Sequence, residues 1–337
     1  MNLRKIIFEL HKILGLTTGI VVFIVAITGC CWAFRDEIES LYDDYKKVSP
    51  QNKPILTPTE AKMYAMEVFP NNHVHGTLFK KADDAIEVIF YDPEPEFYQS
   101  VFLNPYTGEV IQVDDHLSGF FAFILKGHMR LWLPKEIGEQ VVGASILIFM
   151  VIILSGIFLW IPKKRKNLKQ RLRFNWKDST RWKRKNFDLH TVIGFYICSL
   201  ALILAFTGSV MSYNWMKYVL YKSLGGDKEA AFIIPENIGT ANINDDVKPM
   251  DLLIPKLWAA SPNAESFELH YPKSEDESIY VEVSNSSGLY YDSDFRFFDQ
   301  HTLEEIETPG IYGKYEDAKV ADKILRMNYD IHIGAIG

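Results

Sequence analysis

Residues 11–29 read HKILGLTTGIVVFIVAITG, and residues 190–208 read HTVIGFYICSLALILAFTG. His11 precedes Gly15 by four residues and Thr28-Gly29 by seventeen and eighteen; His190 stands in the same relation to Gly194 and to Thr207-Gly208. At about 100° per residue, steps of four and eighteen return close to one face of a helix. Each copy therefore sets a histidine near one end of an apolar helix, with glycines along the same stripe. Such a stripe lets something flat or bulky approach the backbone. A histidine kept within a bilayer element is costly and reads as functional.

Three stretches, 13–34, 140–161 and 189–216, contain no Asp, Glu, Lys or Arg. Each reaches the roughly 20 residues that cross a hydrocarbon core of about 30 Å. Trp32, Trp160 and Trp215 stand near their ends, as interfacial aromatics do. The net charge of −7 is unevenly spread. Between Pro162 and Lys185 there are twelve Lys and Arg against the single acid Asp178, which marks a short cytoplasmic loop. Arg4, Lys5 and Lys12 place the N-terminus on that same side. Segment 36–125 has sixteen acids to six bases and segment 217–330 has twenty-two to eleven, so both are expected outside the cytoplasm. The basic run has no nucleic-acid-binding signature around it and reads as a topology and lipid-headgroup signal; no nucleic-acid partner is expected. Cys30, Cys31 and Cys198 lie within apolar segments and form no disulfide framework.

The two acidic segments repeat one order of elements. In the first, Thr57 to Glu60 is a capping-type entry to a short helix, followed by strand-like AIEVIFY and QSVFLN and a turn, NPYTGE, into VIQV. In the second, a helix-like MDLLIPKLWAA precedes SFELHY, SIYVEVS and FRFFD, and Thr302 and Glu304 take the places of Thr107 and Glu109. The fold class is thus a multi-pass α-helical membrane protein built as a tandem repeat, with two extracytoplasmic α+β domains. The organisation expected is a membrane helix in 1–35, a first outer domain in 36–116, and an interfacial segment with a second membrane helix in 117–161. The basic loop 162–185, a third membrane helix in 186–216, a second outer domain in 217–327 and the start of a fourth helix in 328–337 follow. The repeat calls for a fourth span of about 20 residues after Gly337, so the sequence reads as truncated within its last helix.

Two more histidines fit the repeat. His128 precedes the second span, and His332 takes the equivalent place near the end of the chain. His11 and His190 both begin outward-going helices and share one depth; His128 and His332 both precede inward-going helices and share the other. Two histidines at one depth on facing helices can ligate one iron from both sides, and haem b held in this way suits electron transfer because no axial position is left for substrate. Gly15 and Gly194, one turn from their histidines, remove side chains that would strike the macrocycle; Gly334 near His332 invites the same reading, and Gly127 precedes His128. The bland alternatives are that the glycines are small-residue helix contacts and the histidines packing residues. His73 and His75 alternate on a strand and are more readily surface histidines than a metal site. His116, His270 and His301 carry no spacing signal.

The two His-to-Gly segments, the NPYTGEV turn and the histidine before the second span together resemble the PepSY-associated transmembrane helix family of bacterial inner-membrane proteins, over nearly the whole chain. Members include iron-regulated proteins and siderophore reductases with two b-type haems. The resemblance implies His11, His128, His190 and His332 as haem ligands, two haems in the intact form, and ferric siderophore as acceptor. The lack of a fourth helix here puts the outer haem in question. No nucleotide-binding glycine fingerprint, Walker loop or Cys-x-x-Cys-His is present, so electrons are expected from a quinol or a cytoplasmic reductase docked at the basic loop. Two other classes stay open: a binding or regulatory membrane protein without redox chemistry, and a histidine-lined metal transporter.

Overall fold

The computed structural model describes residues 2–162, 168–239 and 249–336. The first part of the basic loop, residues 163–167, and Gly337 lie outside the described residues. In chain order the elements are α1 (Leu3–Ala33), α2 (Arg35–Glu39), α3 (Pro58–Val68), β1 (Val74–Phe79), β2 (Ile86–Pro93), β3 (Glu96–Leu103), β4 (Val110–Asp115) and α4 (Gly119–Arg130). There follow α5 (Lys135–Trp160), α6 (Leu168–Arg171), α7 (Trp182–Ser212), α8 (Asn214–Ser223), α9 (Pro249–Ala260), β5 (Ser266–His270), β6 (Ile279–Ser284), β7 (Asp294–Phe298), β8 (Glu305–Ile306) and α10 (Val320–Ile333). They form two compact units, Met1–Ala33 with Phe123–Met216, and Phe34–Ala122 with Lys217–Gly337.

The first unit holds the three long apolar helices α1, α5 and α7, each long enough to cross a bilayer. Helix α5 packs against both α1 and α7. It runs antiparallel to them. Arg4 near the start of α1 donates to the carbonyls of Leu159 and Ile161 at the end of α5, and Trp160 stacks on Phe195 near the middle of α7 at 3.9 Å. Toward the other end, Gly143 of α5 lies against Tyr213; a Cβ there would stand 2.6 Å from the phenol oxygen. Leu16, Ile20 and Phe23 are 78, 69 and 62 % exposed, an apolar surface suited to lipid. The repeated threonines Thr28 and Thr207 are buried, and their hydroxyls donate to the carbonyls of Ile24 and Ile203 one turn back. Part of the repeated Thr-Gly pattern is therefore helix packing with the polar atom satisfied inside its own helix.

The turn from α4 into α5 is built from two non-glycine residues in the left-handed region, Leu131 (φ 54°) and Trp132 (φ 58°). Trp132 compensates. Its indole N–H donates to the Phe123 carbonyl at 2.8 Å, its ring stacks on Phe123, and it lies so close to Gly127 that a Cβ there would stand 2.4 Å from the indole. Gly127 is thus a seat for Trp132.

The second unit is a single eight-stranded antiparallel sheet of order β4-β3-β2-β1-β5-β6-β7-β8. Sequence alternation leads one to expect two small α+β domains; instead each segment supplies four strands and the first strand of each pairs with the other, Gly76 to Phe79 opposite His270 to Phe267. The physical reason is edge satisfaction. A four-stranded half would leave β1 or β5 with open backbone groups, and each edge finds its match in the other copy. One face of the sheet buries the apolar positions, among them Val88, Phe90, Val101, Leu103, Phe267, Leu269, Val281 and Val283, under α3 and α9. The two helices meet where the Thr59 N–H donates to the Asp251 carboxylate at 2.9 Å. Helix α3 opens with the capping box read from the sequence: Thr57 accepts from the Glu60 N–H and Glu60 accepts from the Thr57 N–H. The turns after β3 and β7 repeat one another bond for bond. The Glu109 N–H donates to the Thr107 hydroxyl and the Glu304 N–H to the Thr302 hydroxyl, both at 3.3 Å.

Helix α10 is fastened to the same unit by polar bonds. Tyr221 donates to Asp322 at 2.6 Å, Asp330 accepts from the backbone N–H groups of Tyr290 and Tyr291, and the buried Arg326 donates to the carbonyls of Ser293 and Gly313. It closes at Gly334, whose φ of 82° is the left-handed cap that glycine adopts without penalty. Capping accounts for Gly334, which needs no macrocycle to explain it.

Candidate functional site

Within the membrane unit the helices bring His11 and His190 together, their ring centres 6.1 Å apart and their planes at 64°. The pairing follows from α1 and α7 running in one direction on either side of α5, each with its histidine near its start. His11 is half-buried and His190 exposed. His11 is held from α5: its Nδ1 is 2.9 Å from the Ser155 hydroxyl, and Gly156 leaves room for the ring, since a Cβ there would stand 3.1 Å from Cε1. A Cβ added at Gly15 or Gly194 would meet no atom within 4 Å. Among the described residues, neither glycine is a point where another helix comes close.

His128, near the end of α4, lies on α1. Its Nδ1 donates to the Val25 carbonyl at 2.9 Å, and its ring covers Gly29, where a Cβ would stand 2.9 Å from Cε1. What approaches the backbone at Gly29 is the imidazole of His128 itself. His332 sits in the last turn of α10 and belongs to the other unit.

The sheet unit holds a second concentration of chemistry, which the sequence reading passed over. On the face opposite α3 and α9, register places Glu87, Leu78, Glu268 and Glu282 in one row across β2, β1, β5 and β6. The neighbouring row contains Gly76, His270 and Tyr280. A bulge between Val74 and Gly76 turns His75 onto this face, 4.8 Å from the His270 ring and 5.6 Å from Tyr91. His270 stacks on Tyr280 at 4.3 Å, and its Nε2 stands 3.3 Å from Glu268. Burial, followed by the nearby carboxylates of Glu282 and Glu87, pushes the Glu268 carboxyl up to about 8. Burial, with His75 adding to it, pushes the His270 imidazole down to about 3. Near neutral pH their contact is therefore between an uncharged acid and an uncharged imidazole, not an ion pair. At the β3 end, Ser100 bridges Glu87 at 2.7 Å and His116 at 2.8 Å. A signal for this face is present in the sequence: Glu268 and His270 interleave with Phe267 and Leu269, and Glu282 lies between Val281 and Val283. What alternation cannot show is that strands from distant segments align these residues into one row. Among the described residues no group of three or more His, Cys, Asp or Glu is placed to hold a metal ion.

Three lipid-facing helices and a mixed α+β unit define a multi-pass α-helical membrane protein carrying an eight-stranded sheet domain. The chain belongs to the PepSY-associated TM region family, whose model it matches over residues 8–337. No curated protein matches it.

Proposed function

We propose that His11 and His190 are the axial ligands of a haem b and that the protein carries electrons across the bilayer to a ferric siderophore on the outer side. The observation behind this is the spacing of the two rings. The ring centres stand 6.1 Å apart, so a single group held between them would meet both imidazoles. The open space beside Gly15 and Gly194 fits a flat group next to the pair. Bound there, haem would supply one-electron transfer with both axial positions filled by protein. The residues of this chain do the rest: α5 fixes the His11 ring through Ser155, and the apolar helices exclude water. The repeat also marks His128, on the membrane unit, as a ligand for a second haem. Electrons arrive from a quinol or from a cytoplasmic reductase docked at the basic loop, and the acidic sheet domain faces the acceptor. Reduction to iron(II) loosens its hold on hard oxygen donors.

The family match supports a broader reading on firmer ground: a PepSY-type binding or regulatory membrane protein that needs no redox chemistry. The polar face of the sheet is the surface such a role would use. Absorption spectra of the purified protein, oxidised and dithionite-reduced, separate the two. The haem reading expects a six-coordinate low-spin b-type spectrum that His11→Ala and His190→Ala each abolish at the inner site. Protein from haem-replete cells that shows no such spectrum, or mutants with unchanged haem content, leave the binding role as the account.

A further inference from the structure

Ser155 faces His11 from α5 and has one hydroxyl proton to give. That proton goes to the Ile152 carbonyl one turn back, at 2.9 Å. With the hydroxyl proton on Ile152 the oxygen is free to accept from His11, and in that arrangement the 2.9 Å contact is a bond donated by Nδ1–H. A histidine with its proton on Nδ1 keeps its lone pair on Nε2. His128 reaches the same state through a different partner, because the Val25 carbonyl can only accept. Two histidines from different helices thus have Nδ1 acceptors within the membrane unit: the Val25 carbonyl for His128, and for His11 the Ser155 hydroxyl with the Ile152 carbonyl beside it. Only one of those acceptors is a side chain.

We propose that Ser155 is a positioning residue for His11: it holds the ring in the Nδ1–H tautomer and presents Nε2 as the ligating atom. The inference rests on the haem reading for its consequence, though not for its hydrogen bond. An acceptor on Nδ1–H fixes the ring's orientation and makes the opposite nitrogen a stronger donor, which favours ferric over ferrous iron. Gly156 adds the room the ring needs to sit there.

The test uses the full chain in detergent, with Ser155→Ala and the conservative Ser155→Thr. In protein prepared without haem, the ring 15N shifts of His11, assigned by comparison with His11→Ala, report the tautomer. The expected result is a protonated Nδ1 in wild type and in Ser155→Thr, and a mixture of tautomers in Ser155→Ala. In haem-loaded protein, Ser155→Ala is expected to lose haem affinity by about 10- to 100-fold and to shift its midpoint potential upward, with Ser155→Thr close to wild type. A wild-type His11 protonated on Nε2, or a Ser155→Ala protein whose tautomer, affinity and potential all match wild type, overturns the role of Ser155. A wild type that never takes up haem overturns the proposed function instead, and the 15N measurement still judges the hydrogen bond.

Discussion

At Glu268, burial and the neighbouring carboxylates outweigh the pull of Lys80, and the pH dependence of stability should show it. Its folded value of about 8 lies above the ordinary carboxylate value of 4.5. The unfolded chain therefore releases this proton first, and the stability it contributes falls as pH rises from about 4.5 through 8. His270 acts at the other end. Its value is lowered from 6.5 to about 3, so the unfolded chain binds this proton first, and stability falls as pH drops from about 6.5 toward 3. The two slopes oppose one another between about 4.5 and 6.5, where these groups leave stability nearly flat. Thermal unfolding across pH should show the alkaline loss reduced in Glu268→Gln and the acid limb retained. An alkaline limb identical to wild type would show that Glu268 is ionised in the folded protein.

At the scale of elements, the pairing of β1 with β5 makes the two repeat halves depend on each other. Phe79 and Phe267 pair across that seam, and both are buried in the core that α3 and α9 share. A half standing alone loses the partner strand, leaves β1 as an open edge and exposes apolar side chains worth about 1.5–3 kcal/mol each when buried. A fragment of residues 34–122 is accordingly expected to aggregate or to lack a cooperative thermal transition, as read by circular dichroism and size-exclusion chromatography. A monomeric fragment with a sharp transition would show that the first half is an independent domain. The helices of the membrane unit are another matter: their apolar stripes and the long runs without charge made them legible directly, and α1, α5 and α7 contain nearly all of the stretches read as spans. The break between α4 and α5 was legible only in part. Pro134 signals an interruption, but the left-handed pair Leu131 and Trp132 carries no local sequence mark, because the Trp132 ring packing on Gly127 and Phe123 is what makes it tolerable.

For the whole molecule, the charge asymmetry makes a definite forecast of sidedness. Twelve basic residues against one acid between Pro162 and Lys185 predict a cytoplasmic loop, with the acidic segments on the other side. In a background with Cys30, Cys31 and Cys198 replaced, a cysteine at Asn175 should resist a membrane-impermeant maleimide in intact cells, while one at Glu96 should react. Labelling of position 175 with protection of position 96 would invert the assignment.

Sequence alone determined that this chain crosses a membrane and that it is an internal repeat, since both depend on the order of apolar, charged and glycine residues along one strand of text. It also paired His11 with His190, because two helices entering from one side put equivalent residues at equal depth. Tertiary structure decided the rest. Pairing of strands nearly 190 positions apart joined the two halves into one sheet, and only that register lined up Glu87, Glu268 and Glu282 beside His75 and His270. Only packing showed that His128 fills the space at Gly29, that Trp132 fills the space at Gly127, and that Ser155 of α5 holds His11. Long-range register and side-chain contact depend on which surfaces exclude water together, and that is a property of the folded chain.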